Sequence, residues 1–171
     1  MSGSQAFPAS SFVHLLSNLC GLIDKGEKAG IGLEARLITD MYDLSQQVRL
    51  SCFHAVDCVA RLSGKATIEL PEIDTFAAAR QAISDATAFV ASLAGEGMGE
   101  VDGDRFELPV NGAHGVSFVM SGTKLAEDWS LPQVYFHVVT AYCILRHAGV
   151  PLGVHDFMAH MQGYMVTDPS A

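Results

Sequence analysis

A chain of 171 residues, 49% of them hydrophobic, can bury one sizeable core, whereas two cores of half that length would each be marginal. Residues 1–171 are therefore expected to form a single domain, with 1–7 and 163–171 as flexible ends. A formal charge of −9, from 19 acidic against 10 basic residues, repels phosphate backbones, and no basic stripe interleaved with aromatics offsets it, so nucleic acid is not an expected partner.

Apolar runs stop short of the roughly 18 residues a membrane span needs, and the N-terminus has no basic stretch followed by an apolar one. No membrane partner and a cytoplasmic location are expected. Phe12, Leu15, Leu16, Leu19, Leu22 and Ile23 recur at spacings of three and four, predicting a first helix over 8–27 with Ser10 or Ser11 as N-cap. The breaker cluster GEKAGIG at 26–32 ends it. LEARLITDMYDL at 33–44 is partly helical in pattern. Within it, Asp43 followed by Gln46 has capping-box spacing, with Asp in place of Ser or Thr, which places a second helix over 43–63, ahead of Gly64. On that helix Leu44, Val48, Ala55, Val59 and Leu62 form a core stripe edged by Gln47, Ser51, His54 and Cys58.

After a connector holding Pro71, the set Phe76, Ala79, Ile83, Ala86, Val90 and Leu93 predicts a third helix over 74–94. Residues 106–110 and 116–120 are short β-like runs flanking NGAHG at 111–115, the pattern of a two-stranded hairpin that must lean on the helices. A fourth helix is expected over 123–148, stopped by Gly149 with Pro151 beyond it. The tail HDFMAHMQGYM at 155–165 reads as a solvated terminus with at most one short turn or helix, although Asp156 and His160 stand at i, i+4.

The stretch 131–149, LPQVYFHVVTAYCILRHAG, is apolar almost all round, which predicts a helix in the middle of a bundle. At 3.6 residues per turn Gln133, His137, Thr140, Ile144 and His147 share one side, and Tyr135, Val138, Tyr142 and Arg146 the other. A buried polar row needs partners, since each unpaired group costs roughly 1 to 3 kcal/mol. If helices two and four are neighbours, Gln47, Ser51 and His54 approach Gln133, His137 and Thr140, and His137 needs at least one ring nitrogen bonded within this seam. The expected pocket is lined by Gln47, Ser51, His54, Gln133, Thr140 and Tyr142, with His137 as the candidate catalytic acid or base. Cys20, Cys52, Cys58 and Cys143 form no C-x-x-C and no zinc-finger cluster, so they are expected to be reduced, buried thiols.

Four helices with a hairpin in the long crossover between helices three and four make an all-α, up-and-down four-helix bundle. The run Gln47-Val48-Arg49, the helix end ARLSG at 60–64 and above all LPQVYFHVVTAYCILRHAGVPLG at 131–153 resemble a small bacterial family of domains of unknown function grouped with the DinB/YfiT-like four-helix bundles. The resemblance spans most of the chain. It implies a divalent metal, zinc or nickel, held by three histidines, one on the second helix and a pair four residues apart on the last. His137 stands where the second of that pair belongs, but Gln133 stands at the first and Gln47 near the helix-two position, and amides are poor ligands for these metals. His54, seven residues and nearly two turns further along, is the other candidate ligand.

Three functions follow from these residues. The first is a small-molecule binding or catalytic pocket between helices two and four without a complete three-histidine site. The second is a metal-dependent enzyme of hydrolase or thiol-transferase type using His137 and His54. The third is a non-enzymatic homodimer whose polar seam fixes helix register. A homodimer is expected in any case from Met98, Met120, Phe157, Met158, Met161 and Met165, apolar residues in loops and tail.

Overall fold

Phe12, Leu15, Leu16, Leu19, Leu22 and Ile23 fall on one face at helical spacing, and that face is the buried side of helix α1, Ala9–Lys28. A computed structural model describes residues 9–94, 105–109 and 115–166 of the chain. Because α1 already includes Ala9, Ser10 and Ser11 lie inside its first turn and are not its N-cap, contrary to the sequence expectation. Residues 29–43, read in part as helical, form no helix. The carbonyls of Leu33 and Ala35 accept instead from the backbone N–H groups of Ser45 and Leu44, at 3.0 and 2.9 Å, so the loop satisfies the start of the next helix rather than itself.

Helix α2, Leu44–Ser63, has the start its sequence announces: the Asp43 carboxylate accepts from the Gln46 N–H at 3.0 Å. Gly64, at φ 66°, ends it. The Lys65 N–H returns to the Ala60 carbonyl at 3.1 Å and the Gly64 N–H to that of Arg61 at 3.3 Å, a double closure that needs the left-handed conformation glycine adopts without strain. Helix α3, Phe76–Ala94, is capped by Thr75, whose hydroxyl accepts from the Ala78 N–H at 3.1 Å. Strands β1, Phe106–Pro109, and β2, Ser117–Met120, pair antiparallel with Phe106 opposite Met120 and Pro109 opposite Ser117. The expected hairpin turn, and Met98, lie outside the described residues.

The helix expected over 123–148 is a continuous helical run with a widened middle. Short α4, Gly122–Lys124, passes into a π-helical turn, Leu125–Ser130, and then into α5, Leu131–His147. Pro132 accounts for the widening. It has no N–H for the Asp128 carbonyl, and its ring would crowd that oxygen in a regular α-helix; the Leu131 N–H bonds five residues back, to Ala126.

Helix α5 lies against α1 and α2, and α3 closes the bundle by packing on the same two helices, so that α1 and α2 face each other mainly across the diagonal. One hydrophobic cluster joins them, with Leu16, Leu19, Val48, Val56, Ala86, Val138 and Ile144 among its members. The helix is not in the middle of the bundle, as its composition suggested. Tyr135, Phe136 and Val139 are 43, 56 and 42% exposed, because a helix at a corner of four has two inner neighbours and one free face.

The tail docks on α1, although none of its residues from Val154 to Tyr164 is buried. Helix α6, Val154–Phe157, and a 3-10 turn, Ala159–Tyr164, which includes Gly163 of the end expected to be flexible, lie on α1. Asn18, buried in the middle of α1, bonds His160 twice, through its amide nitrogen to Nδ1 at 2.9 Å and by accepting the His160 N–H at 3.2 Å. The His14 and His160 rings stack with centroids 4.5 Å apart, and Lys25 pairs with Asp156.

Candidate functional site

The packing of α5 on α2 brings His137 over Gln47. His137, only 5% exposed, places Nδ1 2.8 Å from Gln47 Oε1, and the Gln47 amide nitrogen donates to the Tyr42 carbonyl at 3.2 Å. This second bond orients the amide. With its NH2 committed to a carbonyl, Gln47 presents an oxygen to the imidazole, so Nδ1 carries the proton and donates, and Nε2 keeps the lone pair. No described residue hydrogen-bonds Nε2, yet no buried side-chain nitrogen or oxygen among the described residues lacks a partner. Nε2 therefore reaches solvent.

Burial, with the neighbouring His54 adding to it, pushes the His137 pKa down to about 4, and the imidazole is neutral at neutral pH. His54 is half-buried on α2 and its ring is parallel to that of His137, at 5° with centroids 5.5 Å apart. Its pKa is also lowered by burial, against the opposing pull of Asp57. Two phenyl rings flank the pair. Phe53 meets His54 edge-on at 5.2 Å, and Phe136 meets His137 edge-on at 5.2 Å.

The remaining pocket candidates are placed less centrally. The Ser51 hydroxyl donates to the Gln47 carbonyl at 2.8 Å and that of Thr140 to the Phe136 carbonyl at 2.7 Å, so both buried hydroxyls are turned to their own helices. Gln133 is half-buried and its side chain hydrogen-bonds no other described residue. The Tyr142 hydroxyl donates to the Leu152 carbonyl at 3.4 Å and its ring meets Phe157, which puts it against the tail. Phe53 and Phe136 were not among the expected lining residues. The signal was present, since each directly precedes a seam histidine in a Phe-His pair.

All four cysteines are free. Burial raises Cys52 and Cys58 to about 12, in the case of Cys58 despite the nearby Ser130 hydroxyl, so both remain protonated thiols without nucleophilic character at neutral pH. Cys20 and Cys143 are half-buried rather than buried.

The donor set does not fit a three-histidine metal centre. Of the three positions that the resemblance assigns to ligands, two hold amides, and that of Gln47 is already bonded at both ends. Among the described residues no three His, Cys, Asp or Glu side chains are grouped so as to hold a metal. Among these residues His54 and His137 form a pair without a third ligand.

Residues 8–158 match the family described as Domain of unknown function (DUF1993). A solved structure described as a DinB family member protein from Shewanella denitrificans is 27% identical, with a TM-score of 0.70 over 94% of this chain and 90% of that one. No curated protein matches.

Proposed function

From the premise that this chain belongs to the DUF1993 family and has the DinB/YfiT-like bundle fold, we propose that the α2–α5 seam is a small-molecule binding or catalytic site that works without a tightly bound metal. One observation carries this reading. Gln47 fixes the His137 tautomer and leaves Nε2, on a neutral imidazole, without a hydrogen-bond partner among the described residues. Such a nitrogen accepts a hydrogen bond from a ligand, or its proton where the site is catalytic, and His54 beside it opposes a charge on His137.

Nitrogen-15 NMR of the histidine rings across the acid range tests the reading. His137 is expected to titrate near pH 4, with Nδ1 protonated and Nε2 bare above that. Titration near the 6.5 of a free imidazole overturns it. Zinc or nickel added to metal-free protein is expected to bind no more tightly than to the His54→Ala, His137→Ala double variant. One tight equivalent lost in that variant favours the metal-dependent hydrolase or thiol-transferase reading instead.

A homodimer in the cytoplasm is the second part of the proposal. Met158, Met161, Tyr164, Met165 and Val166 are 40 to 93% exposed in the tail, an apolar surface that a second copy would cover, and four free thiols are at home in a reducing compartment. Among the described residues no helix is long and apolar enough to cross a membrane. Light scattering at micromolar concentration is expected to give twice the chain mass of 18.2 kDa, and a value equal to it overturns the dimer.

A further inference from the structure

Asn18 on α1 meets one residue of the tail twice, and the two bonds together fix where the imidazole keeps its proton. The backbone N–H of His160 can only donate, so the atom it meets at 3.2 Å is Asn18 Oδ1, and the NH2 is left to face His160 Nδ1 at 2.9 Å. An amide NH2 also only donates. Nδ1 is therefore bare and the docked ring carries its proton on Nε2, the reverse of His137 over Gln47. We propose that this contact is an acid-released clasp: a proton taken up at His160 Nδ1 undocks the 3-10 turn Ala159–Tyr164 from α1.

The geometry leaves the docked turn no way to hold that proton. An N–H at Nδ1 points at the Asn18 NH2, donor against donor. Turning the amide over answers the ring but sets the NH2 against the His160 N–H, and Asn18, 2% exposed, is shut off from solvent that could make up the loss. His14 stacks on the same ring, 12° from parallel with centroids 4.5 Å apart, so in acid a charged His160 lies against a second imidazolium.

The turn packs on α1 and α6, and neither offers it a free carboxylate. On α1, Asp24 and Glu27 are taken by Arg80 of α3, Lys25 pairs with Asp156, and burial raises the Cys20 thiol so that it stays protonated and uncharged. On α6, Asp156 holds Lys25 and the Gly153 N–H, which keep its carboxyl below the ordinary range, and its neighbour His155 is exposed. The Lys25–Asp156 pair outlasts the clasp as the pH falls, so α6 stays anchored and only the turn lets go. Release carries Met161 and Tyr164 away, two residues of the apolar surface assigned above to a second copy. That consequence rests on the dimer reading and the clasp does not: a monomer by light scattering at pH 7.5 ends the dimer and leaves the clasp to the test below.

Amide exchange on the full chain is that test, read at the His160 N–H that Asn18 holds. Expressed as protection, which corrects for the pH dependence of exchange itself, the hold is expected to weaken about 30-fold between pH 7.5 and 5, because the released turn has a free imidazole that gains its proton at a pKa of about 6.5 and the docked turn does not. Amides in α2 should keep their protection. His160→Asn puts an amide oxygen before the Asn18 NH2 in place of Nδ1, and is expected to stay docked with no such loss. Asn18→Asp offers an oxygen to both His160 donors, and is expected to reverse the trend, the turn gaining protection in acid. Wild-type protection that stays level overturns the clasp, as does a loss of wild-type size in His160→Asn or in Asn18→Asp, or a nitrogen-15 spectrum at pH 7.5 with the His160 proton on Nδ1.

Discussion

Gln47 holds two groups at once, accepting from His137 and donating to the Tyr42 carbonyl. Gln47→Leu is expected to cost about 1 to 3 kcal/mol, because it leaves the His137 Nδ1–H without its acceptor inside the seam. His137→Leu orphans the other end of the bond and should cost a similar amount. The double variant removes both ends, so its loss should fall well below the sum of the two. Denaturant unfolding of the four proteins checks this, and strictly additive losses would show that the bond contributes nothing to stability. The sequence placed Gln47 and Gln133 on an equal footing, since each is an amide at helical spacing on a row that also carries a histidine. What separates them is that Gln133 shares a helix with His137, four residues earlier on the same stripe, whereas Gln47 comes from across the interface. Residue type and spacing carry the row; only the packed distance between two helices tells which member of it meets the imidazole. Ser51 and Thr140 show the same limit, because a hydroxyl within a helix can always turn back to its own backbone.

At the scale of elements, the helix ends were the most legible feature, because their signals are local chemistry. Asp43 three residues before Gln46, and the glycines at 64 and 149, act within a single turn of chain. Gly149, at φ 93°, repeats the closure seen at Gly64, its own N–H returning to Arg146 at 3.1 Å and that of Val150 to Leu145 at 3.0 Å. Features that depend on partners far along the chain were not legible. Residues 33–44 have a partly helical pattern, but their carbonyls are taken by the start of α2. The tail has the composition of a loose end, and it is held by Asn18 and Lys25, more than a hundred residues away. The π-helical turn is intermediate between these cases. Pro132 marked the place where the helix had to change, yet a proline one residue past a helix start is also ordinary, so the sequence left the start anywhere between 123 and 132.

On the scale of the whole molecule, composition overstated how deeply α5 is buried. An apolar helix in a four-helix bundle need not be enclosed, and Tyr135, Phe136 and Val139 spend their apolar character on the surface, with Phe136 beside the seam. The same geometry couples the seam to the stability of the entire chain, because α2 and α5 share the one core. His137 has a pKa of about 4 in the folded chain against 6.5 for a free imidazole, and His54 is lowered in the same direction. Between those two values the unfolded chain binds the proton and the folded chain does not. The contribution of His137 is therefore complete above pH 6.5 and is lost as the pH falls from there toward 4. A second effect runs the other way: the charge of −9 shrinks as carboxylates and surface histidines gain protons, which relieves self-repulsion. The wild-type melting curve mixes the two, so the comparison has to be with His137→Phe, which has the same surface charge above 6.5 and no imidazole to protonate. The stability advantage of the wild type over this variant is expected to shrink steadily from pH 6.5 to 4. Asp156, held below the ordinary carboxylate range by Lys25 and the Gly153 N–H, gives up its contribution only at lower pH and is common to both proteins. A difference in melting temperature that stays constant across the window would mean that burial does not keep His137 neutral, and the open Nε2 would then be no better an acceptor than any surface histidine.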